Sequence, residues 1–185
     1  MRNVVFAINI TLDGCCDHTK MIGDEEIHQY FAQLMRDVDL LVFGRKTYQL
    51  MVPFWPDVAR DHSGQTKAMY EFAQAFDSIN KIVFSQSLDL PEGKNTRIIR
   101  TNLQDEILRL KQEQGKNILI GGVTIPTQLI ELGLVDEYHF VVHPIVVGAG
   151  RRLLEGISLP ERLQLRLVES KVLKSGFVVL RYLKQ

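Results

Sequence analysis

No apolar run in this sequence approaches the ~20 residues that a helix needs to cross a bilayer, so no segment reads as a membrane span. Charge of one sign is missing as well. Twenty-two Lys and Arg balance 22 Asp and Glu, which removes the usual electrostatic argument for nucleic acid or an acidic membrane surface. Cysteine is scarce, with two residues adjacent at Cys15 and Cys16. Neighbours of this kind build no disulfide framework, and the expectation is a reduced, cytoplasmic setting. They also lack the Cys-x-x-Cys spacing of a redox pair. The first residues do not read as a signal peptide, because Arg2 leads into a strand-like run that Asn9 interrupts. Repeats, low-complexity tracts and linkers are absent too.

What remains is ordinary in composition, with 45% apolar and 24% charged residues. A chain of 185 residues suits one domain, residues 1–185, burying ~70% of its unfolded surface. The segment most informative about function is Ile118-Leu119-Ile120-Gly121-Gly122-Val123-Thr124-Ile125-Pro126. A short apolar run reaches two glycines, and Thr124 and Pro126 then mark a helix opening, with a hydroxyl cap followed by a residue needing no N–H. A strand turning through glycine into a helix offers bare backbone and free N–H groups to a diphosphate. A second strand end, Phe43-Gly44-Arg45-Lys46-Thr47, joins glycine to two cations and a hydroxyl.

In chain order, Val4–Ile8 reads as a buried strand and Asp13-Gly14 as a turn. Ile27, Tyr30, Phe31, Leu34, Met35 and Val38 recur at helical spacing behind Asp24, Glu25 and Glu26, which suit the first turn. Strand 40–43 follows, then a short helix from Gly44 to about Met51. Val52-Pro53-Phe54-Trp55-Pro56 breaks that helix. Met69, Phe72, Ala73 and Phe76 define another helix. Strands at 81–84 and 97–100 precede a helix capped by Asn102 and stopped at Gly115. The helix after the glycine pair spans roughly 125–132 and ends at Gly133. Residues 138–147 read as a strand with Pro144 inside it, at a bulge or an edge. Leu163, Leu165 and Leu167 alternate with polar partners in a half-buried strand. Lys174-Ser175-Gly176 turns the chain into a last strand, 177–183. The pattern predicts an α/β fold with a mixed sheet covered by helices on both faces.

Val5-Phe6-Ala7 with Leu12-Asp13-Gly14, Val42–Tyr48, Ile82–Ser85 and Ile120-Gly121-Gly122 come in the order seen in dihydrofolate reductases. Leu134-Val135-Asp136-Glu137 with Pro144 and Gly148-Ala149-Gly150 resembles more closely the C-terminal reductase domain of riboflavin-biosynthesis proteins, and Gly44 to Pro56 is similar to small stand-alone members of that superfamily. The resemblance covers nearly the whole chain. It implies a three-layer dihydrofolate reductase-like fold, with a mostly parallel sheet and a C-terminal antiparallel hairpin. It also implies NADPH as cofactor and hydride transfer to a C=N or C=O carbon of a small heterocyclic or ribosylamino-pyrimidine substrate. The activity expected is that of a 5-amino-6-(5-phosphoribosylamino)uracil reductase. A true dihydrofolate reductase and a non-catalytic NADPH-binding protein stand as alternatives.

The resemblance assigns Arg45 to the 2′-phosphate of NADPH, a role that the guanidinium fork suits. Ala7, Gly44, Lys46, Thr47, Ser85 and Thr124 complete the cofactor set with Gly121 and Gly122, which the family joins by a cis peptide. The alternative for Arg45 and Lys46 is a solvated helix start. Asp13 matches an aspartate of the riboflavin-reductase branch beside the nicotinamide, and equally an ordinary turn residue. The carboxylate that dihydrofolate reductases carry on the first helix has no direct counterpart. Counting back from Arg45 lands on His28, while a two-residue shift gives Glu26, otherwise a surface charge suited to the helix dipole. His139 and His143 share a strand face but lack a third ligand for zinc. Trp55 stacks on a flat substrate or packs beneath its loop; Arg151 and Arg152 hold a phosphate or face solvent. The resemblance further implies a two-fold homodimer, with strands 138–147 and 177–183 as its surface or as core strands. Neither nucleic acid nor membrane is expected as a partner.

Overall fold

The computed structural model describes residues 1–185 apart from Leu90, Glu92 and Lys94, with His18 described by its backbone alone. Its centre is an eight-stranded sheet in the order β4-β3-β2-β5-β1-β6-β8-β7. The strands are β1 (Val4–Thr11), β2 (Val38–Gly44), β3 (Asn80–Phe84), β4 (Thr96–Ile99), β5 (Asn117–Ile120), β6 (Glu137–His143), β7 (Leu165–Val172) and β8 (Val178–Lys184). From β4 across to β6 every pairing is parallel, and β8 then pairs antiparallel with both β6 and β7. Strands covered on both faces need continuous apolar sequence, which accounts for the fully buried Val4, Val5 and Phe6.

The helices α1 (Glu25–Met35), α2 (Arg45–Met51), α3 (Trp55–Arg60) and α4 (Lys67–Ser78) lie over one face, and α5 (Leu103–Gln112) and α6 (Thr124–Glu131) over the other. Alternation along the strands divides the core accordingly. Val5, Leu41, Phe43, Val83 and Leu119 meet Ala32, Phe72 and Phe76. Val4, Phe6, Val42, Ile118 and Ile120 meet Ile107, Leu110 and Leu129. The Asp24 carboxylate caps α1 by accepting from the N–H groups of Glu26 (2.8 Å) and Ile27 (3.1 Å). Asn102 caps α5 as expected.

Three sequence expectations are corrected. Helix α3 was hidden behind Pro53 and Pro56, because the second proline sits in its opening turn, where no N–H is needed. Strand β6 stops at His143, before Pro144, and Ile145 N–H turns back to the His143 carbonyl at 2.8 Å. Strand β7 begins at Leu165 and carries a register shift between Leu167 and Glu169. As the sheet edge it leaves Leu167 49% and Val172 75% exposed, so its alternation is not that of a half-buried strand. Strands β6 and β8 are paired on both sides, and Val141 and Val179 pack under Ile27, which places them in the core.

His143 ends β6 almost fully buried, edge-on to Phe177 at 4.6 Å, and neither ring nitrogen has a hydrogen-bond partner among the described residues. Burial pushes its pKa down, against a weaker upward pull from Asp24. The unfolded chain therefore takes up a proton that the native state resists, so stability is full above the ordinary His pKa of about 6.5 and declines below it. The expected loss is up to about 1.4 kcal/mol per pH unit. Thermal denaturation from pH 7.5 to 5.5 should show Tm falling, and His143→Phe should flatten the slope. An unchanged slope in that variant would assign the acid sensitivity elsewhere.

Candidate active site

Helix α1, which follows β1, packs on one face of the sheet, while α6, which follows the neighbouring β5, packs on the other. The connections diverge at this boundary, a topological switch point, and in open α/β sheets the ligand crevice lies beyond the carboxyl ends of the strands at such a point. Because β3, β2, β5 and β1 are parallel, the segments following them emerge along one edge. Ser85, Gly44 to Thr47, Gly121-Gly122 and Ala7 are therefore brought to that edge in the sheet order.

The two glycine-bearing turns touch. A Cβ on Gly122 would overlap Thr47 Oγ1, a Cβ on Gly121 would lie 2.7 Å from the Phe43 ring, and one on Gly44 would lie 3.3 Å from Ile125. Gly122 also has φ +84°, a region that residues with a Cβ rarely adopt. Packing alone thus requires glycine at 121 and 122, and the same closeness sets the Thr47 hydroxyl over the start of α6. Among the described residues every peptide bond is trans, Gly121–Gly122 included, so the turn is made by positive φ at Gly122 and not by a cis bond. The first residue of α6 is Thr124, and its N-cap is Val123, with no side-chain cap. Thr124 does not act as the hydroxyl cap that the sequence suggested. Thr127 instead returns its hydroxyl to the Val123 carbonyl at 2.8 Å. The opening N–H groups of α6 are left without a side-chain acceptor.

Arg45 and Lys46 are exposed at the start of α2. Arg45 donates to Gln49 Oε1 at 3.2 Å and has no acidic partner among the described residues. Ser85 is nearly buried, and its Oγ accepts from the N–H groups of Ser87 (3.2 Å) and Leu88 (3.0 Å), shaping the turn after β3. Ala7 lies on β1 beside His139 of β6, one residue beyond the Phe6–Ile120 pairing.

Asp13 ties two loops together. Its carboxylate accepts from Thr11 Oγ1 (2.6 Å), Gly148 N–H (2.9 Å) and Val147 N–H (3.3 Å), and pairs with Arg152 at 3.5 Å. The Thr11 hydrogen bond above all, with the two backbone donors, outweighs desolvation and holds its pKa at about 2. Near neutral pH this group is a fixed anion with no proton to give. Arg152 also donates to the Asp13 and Gly148 carbonyls, so it belongs to the same clamp, although both it and Arg151 are exposed. Glu26 accepts from Ser175 N–H (3.3 Å) and Oγ (3.4 Å), steadying the turn before β8. Neither carboxylate stands free beside the crevice.

Nearby lies Asn9, which sequence reasoning passed over, together with His28 and His139, which it weighed only at the position of an acid and as a zinc ligand. Asn9 follows Ala7 on the same strand face, and its Oδ1 is buried without a partner among the described residues, as is His28 Nδ1 on α1. On the adjoining face of β6, His139 bonds Glu137 Oε1 at 2.6 Å and the Tyr30 hydroxyl, and Arg181 Nε donates to the same Glu137 oxygen at 2.6 Å. Burial raises the Glu137 pKa, but hydrogen bonds from His139 and Arg181 prevail and hold it at about 2. The alternation Glu137, His139 was readable in the sequence as one strand face, but its partners Tyr30 and Arg181 are distant in the chain. A polar cavity of about 380 Å³, with Arg2, Asp39, Lys81 and Glu113 in its wall, opens at the opposite end of the strands. Its cations are already engaged, Arg2 by Asp39 and Lys81 by the Ile79 carbonyl at 2.8 Å. Among the described residues no cluster of His, Cys, Asp and Glu has the makings of a metal site, and no helix is long and apolar enough to cross a membrane.

The chain is similar to the "Uncharacterized protein YyaP" of Bacillus subtilis (strain 168), with 30% identity over 188 residues that cover 98% of this chain and 94% of that protein. Among solved structures, a Shewanella sp. PV-4 protein provisionally assigned to riboflavin biosynthesis superposes with a TM-score of 0.73 at 23% identity, covering 100% of this chain and 99% of that one. A pyrimidine reductase-like protein from Corynebacterium diphtheriae gives 0.68 at 16% identity, covering 100% and 92%. At these identities the structures speak for the fold, which is the mixed, mostly parallel sheet with a C-terminal antiparallel hairpin expected from the sequence. The RibD C-terminal domain family matches residues 2–179, and the chain belongs to that family.

Proposed function

We propose that this protein is an NADPH-dependent reductase acting on a small heterocyclic or ribosylamino-pyrimidine substrate, of the 5-amino-6-(5-phosphoribosylamino)uracil reductase type. The observation that carries the reading is the junction of the two glycine turns. It sets an unpaired Arg45, the Thr47 hydroxyl and the uncapped start of α6 along one edge of the crevice in a RibD C-terminal domain. Among the described residues these donors meet only Gln49 Oε1, which accepts from Arg45, and a dinucleotide phosphate supplies the acceptors they lack.

In this reading Arg45, with Lys46 beside it, takes the 2′-phosphate. Ser85 borders the adenosine, and its hydroxyl hydrogen is not used by the turn it shapes. Gly121, Gly122, Thr47 and the N–H groups at Thr124 receive the diphosphate, while Gly44 allows the close approach of α2 and α6. The backbone at Ala7 flanks the nicotinamide. Bound there, NADPH supplies a hydride to a C=N or C=O carbon, and one proton completes the reduction. Asp13 holds the loop after β1 against residues 147–148 and keeps that side of the crevice ordered. Because Asp13 is ionised and Glu26 is engaged by Ser175, the proton comes through water. A dihydrofolate reductase reading finds less support, since the helix position facing the crevice carries His28 in place of an acid.

Two variants test the cofactor site. Arg45→Ala removes charge-assisted hydrogen bonds worth roughly 1.5–3 kcal/mol, so NADPH affinity should fall about tenfold to a hundredfold. NADH affinity should scarcely change, and Tm should hold, because an exposed helix-start arginine contributes little stability. Equal loss for both dinucleotides, or loss for neither, would remove Arg45 from the phosphate site. Gly122→Ala forces a Cβ onto Thr47 at positive φ, at a cost on the order of 1–3 kcal/mol. Both dinucleotides should then bind more weakly and Tm should drop; unaltered affinity would show that the junction does not shape the site.

A further inference from the structure

A buried polar atom without a partner is destabilising, and native proteins hold few of them. Two such atoms, Asn9 Oδ1 and His28 Nδ1, lie on the crevice side of the molecule. Val5 and Ala7 face α1 and α4, so strand alternation gives Asn9 the same face. Its partner across the β1–β6 pairing is Val141, which packs beneath Ile27 of α1. Asn9 therefore sits under the first half of α1. His28, the residue after Ile27, turns toward α3 and α4, with ring centroids 5.7 Å from Trp55 and 5.9 Å from Phe72. Asn9, His28 and Trp55 are each half-buried, so their side chains remain within reach of solvent although Asn9 Oδ1 and His28 Nδ1 are themselves buried.

We infer that Asn9 and His28 form the substrate-recognising pair. They read the polar edge of a flat, uncharged heterocycle with a lactam-type N–H beside C=O, as in a uracil ring, while Trp55 and Phe72 form the aromatic wall. The assignment rests on the reductase reading of this crevice and specifies its substrate side. A carboxamide offers one acceptor and two donors side by side, which complements a lactam edge, and a neutral imidazole adds one of each. Burial favours the neutral form of His28, as its lowered pKa records. Burial outweighs the upward pull of Asp24, whose carboxylate caps α1, and of Glu25, which is exposed. Sites built from buried hydrogen-bonding groups reject ligands that leave those groups unpaired, so the pair selects for the lactam edge as well as binding it.

Trp55 is the single tryptophan and adjoins His28, so intrinsic fluorescence reports ring binding without turnover, while nicotinamide fluorescence reports NADPH separately. The full chain is titrated with 5-amino-6-(5-phosphoribosylamino)uracil, with 7,8-dihydrofolate and with NADPH, as wild type, Asn9→Leu and His28→Phe. Both substitutions keep the branched or ring shape, though not the volume, and delete an unpaired polar atom at a half-buried position, and Tm is the check that each variant folds. Dihydrofolate carries the same lactam edge on its pterin ring, so any binding it shows should weaken in both variants along with that of the uracil compound. Each variant should weaken uracil-compound binding about tenfold, with NADPH affinity within about twofold. Undiminished uracil-compound affinity in both variants would overturn the pair. If wild type binds NADPH and not the uracil compound, the pair falls and the reductase reading stands. If it binds the uracil compound and not NADPH, and both variants weaken that binding, the pair stands and the reductase reading falls.

Discussion

A side chain at residue 122 would overlap the Thr47 hydroxyl, and much of the candidate site follows from that contact. The turn after β2 and the turn after β5 press together because their strands are neighbours, parallel and in register from Leu40–Ile118 to Val42–Ile120. Parallel strands set all their carboxyl ends on one edge, and the opposite placement of α1 and α6 makes a topological switch point between β1 and β5, where open α/β sheets hold their ligand crevice. The phosphate-type donors, the unpaired cation and the strand that carries Ala7 and Asn9 are consequences of that arrangement. Without a Cβ at 122 the two helix starts can share one ligand.

The carboxylates near the crevice are committed to holding its rim. Asp13 joins the loop after β1 to the Gly148 loop, with Arg152 closing the clamp. Glu26 secures the turn leading into β8. Glu137 is held by His139 and Arg181. Asp13 and Glu137, held ionised by these bonds, order the structure around a ligand but carry no proton for it near neutral pH. In the proposed reading, a bound dinucleotide and water carry the chemistry, with neutral groups facing the substrate.

The fold was legible in the sequence wherever local chemistry sets it. Asp24 and Asn102 announce helix starts, Gly133 a helix end, and uninterrupted Val, Ile and Phe runs the doubly covered strands. Reading failed where one residue type serves two purposes. Pro56 resembles a breaker yet opens α3, and Thr124 resembles a cap yet begins the helix. In the site, the motifs at Gly44–Thr47 and Gly121-Gly122 were visible, but not that their glycines are also required by packing on each other. Asn9, His28 and Trp55 lie far apart in the chain. A partner-poor asparagine inside an apolar strand and a histidine in place of an acid were the only local signs.

The central claim is that this edge of the sheet receives a 2′-phosphorylated dinucleotide. Isothermal titration of the wild-type protein with NADPH and with NADH at low ionic strength tests it most directly. The account predicts one NADPH site per chain and a preference over NADH of roughly tenfold to a hundredfold, from charge-assisted contacts worth about 1.5–3 kcal/mol. Equal affinity for the two dinucleotides, or heat from neither, would contradict it.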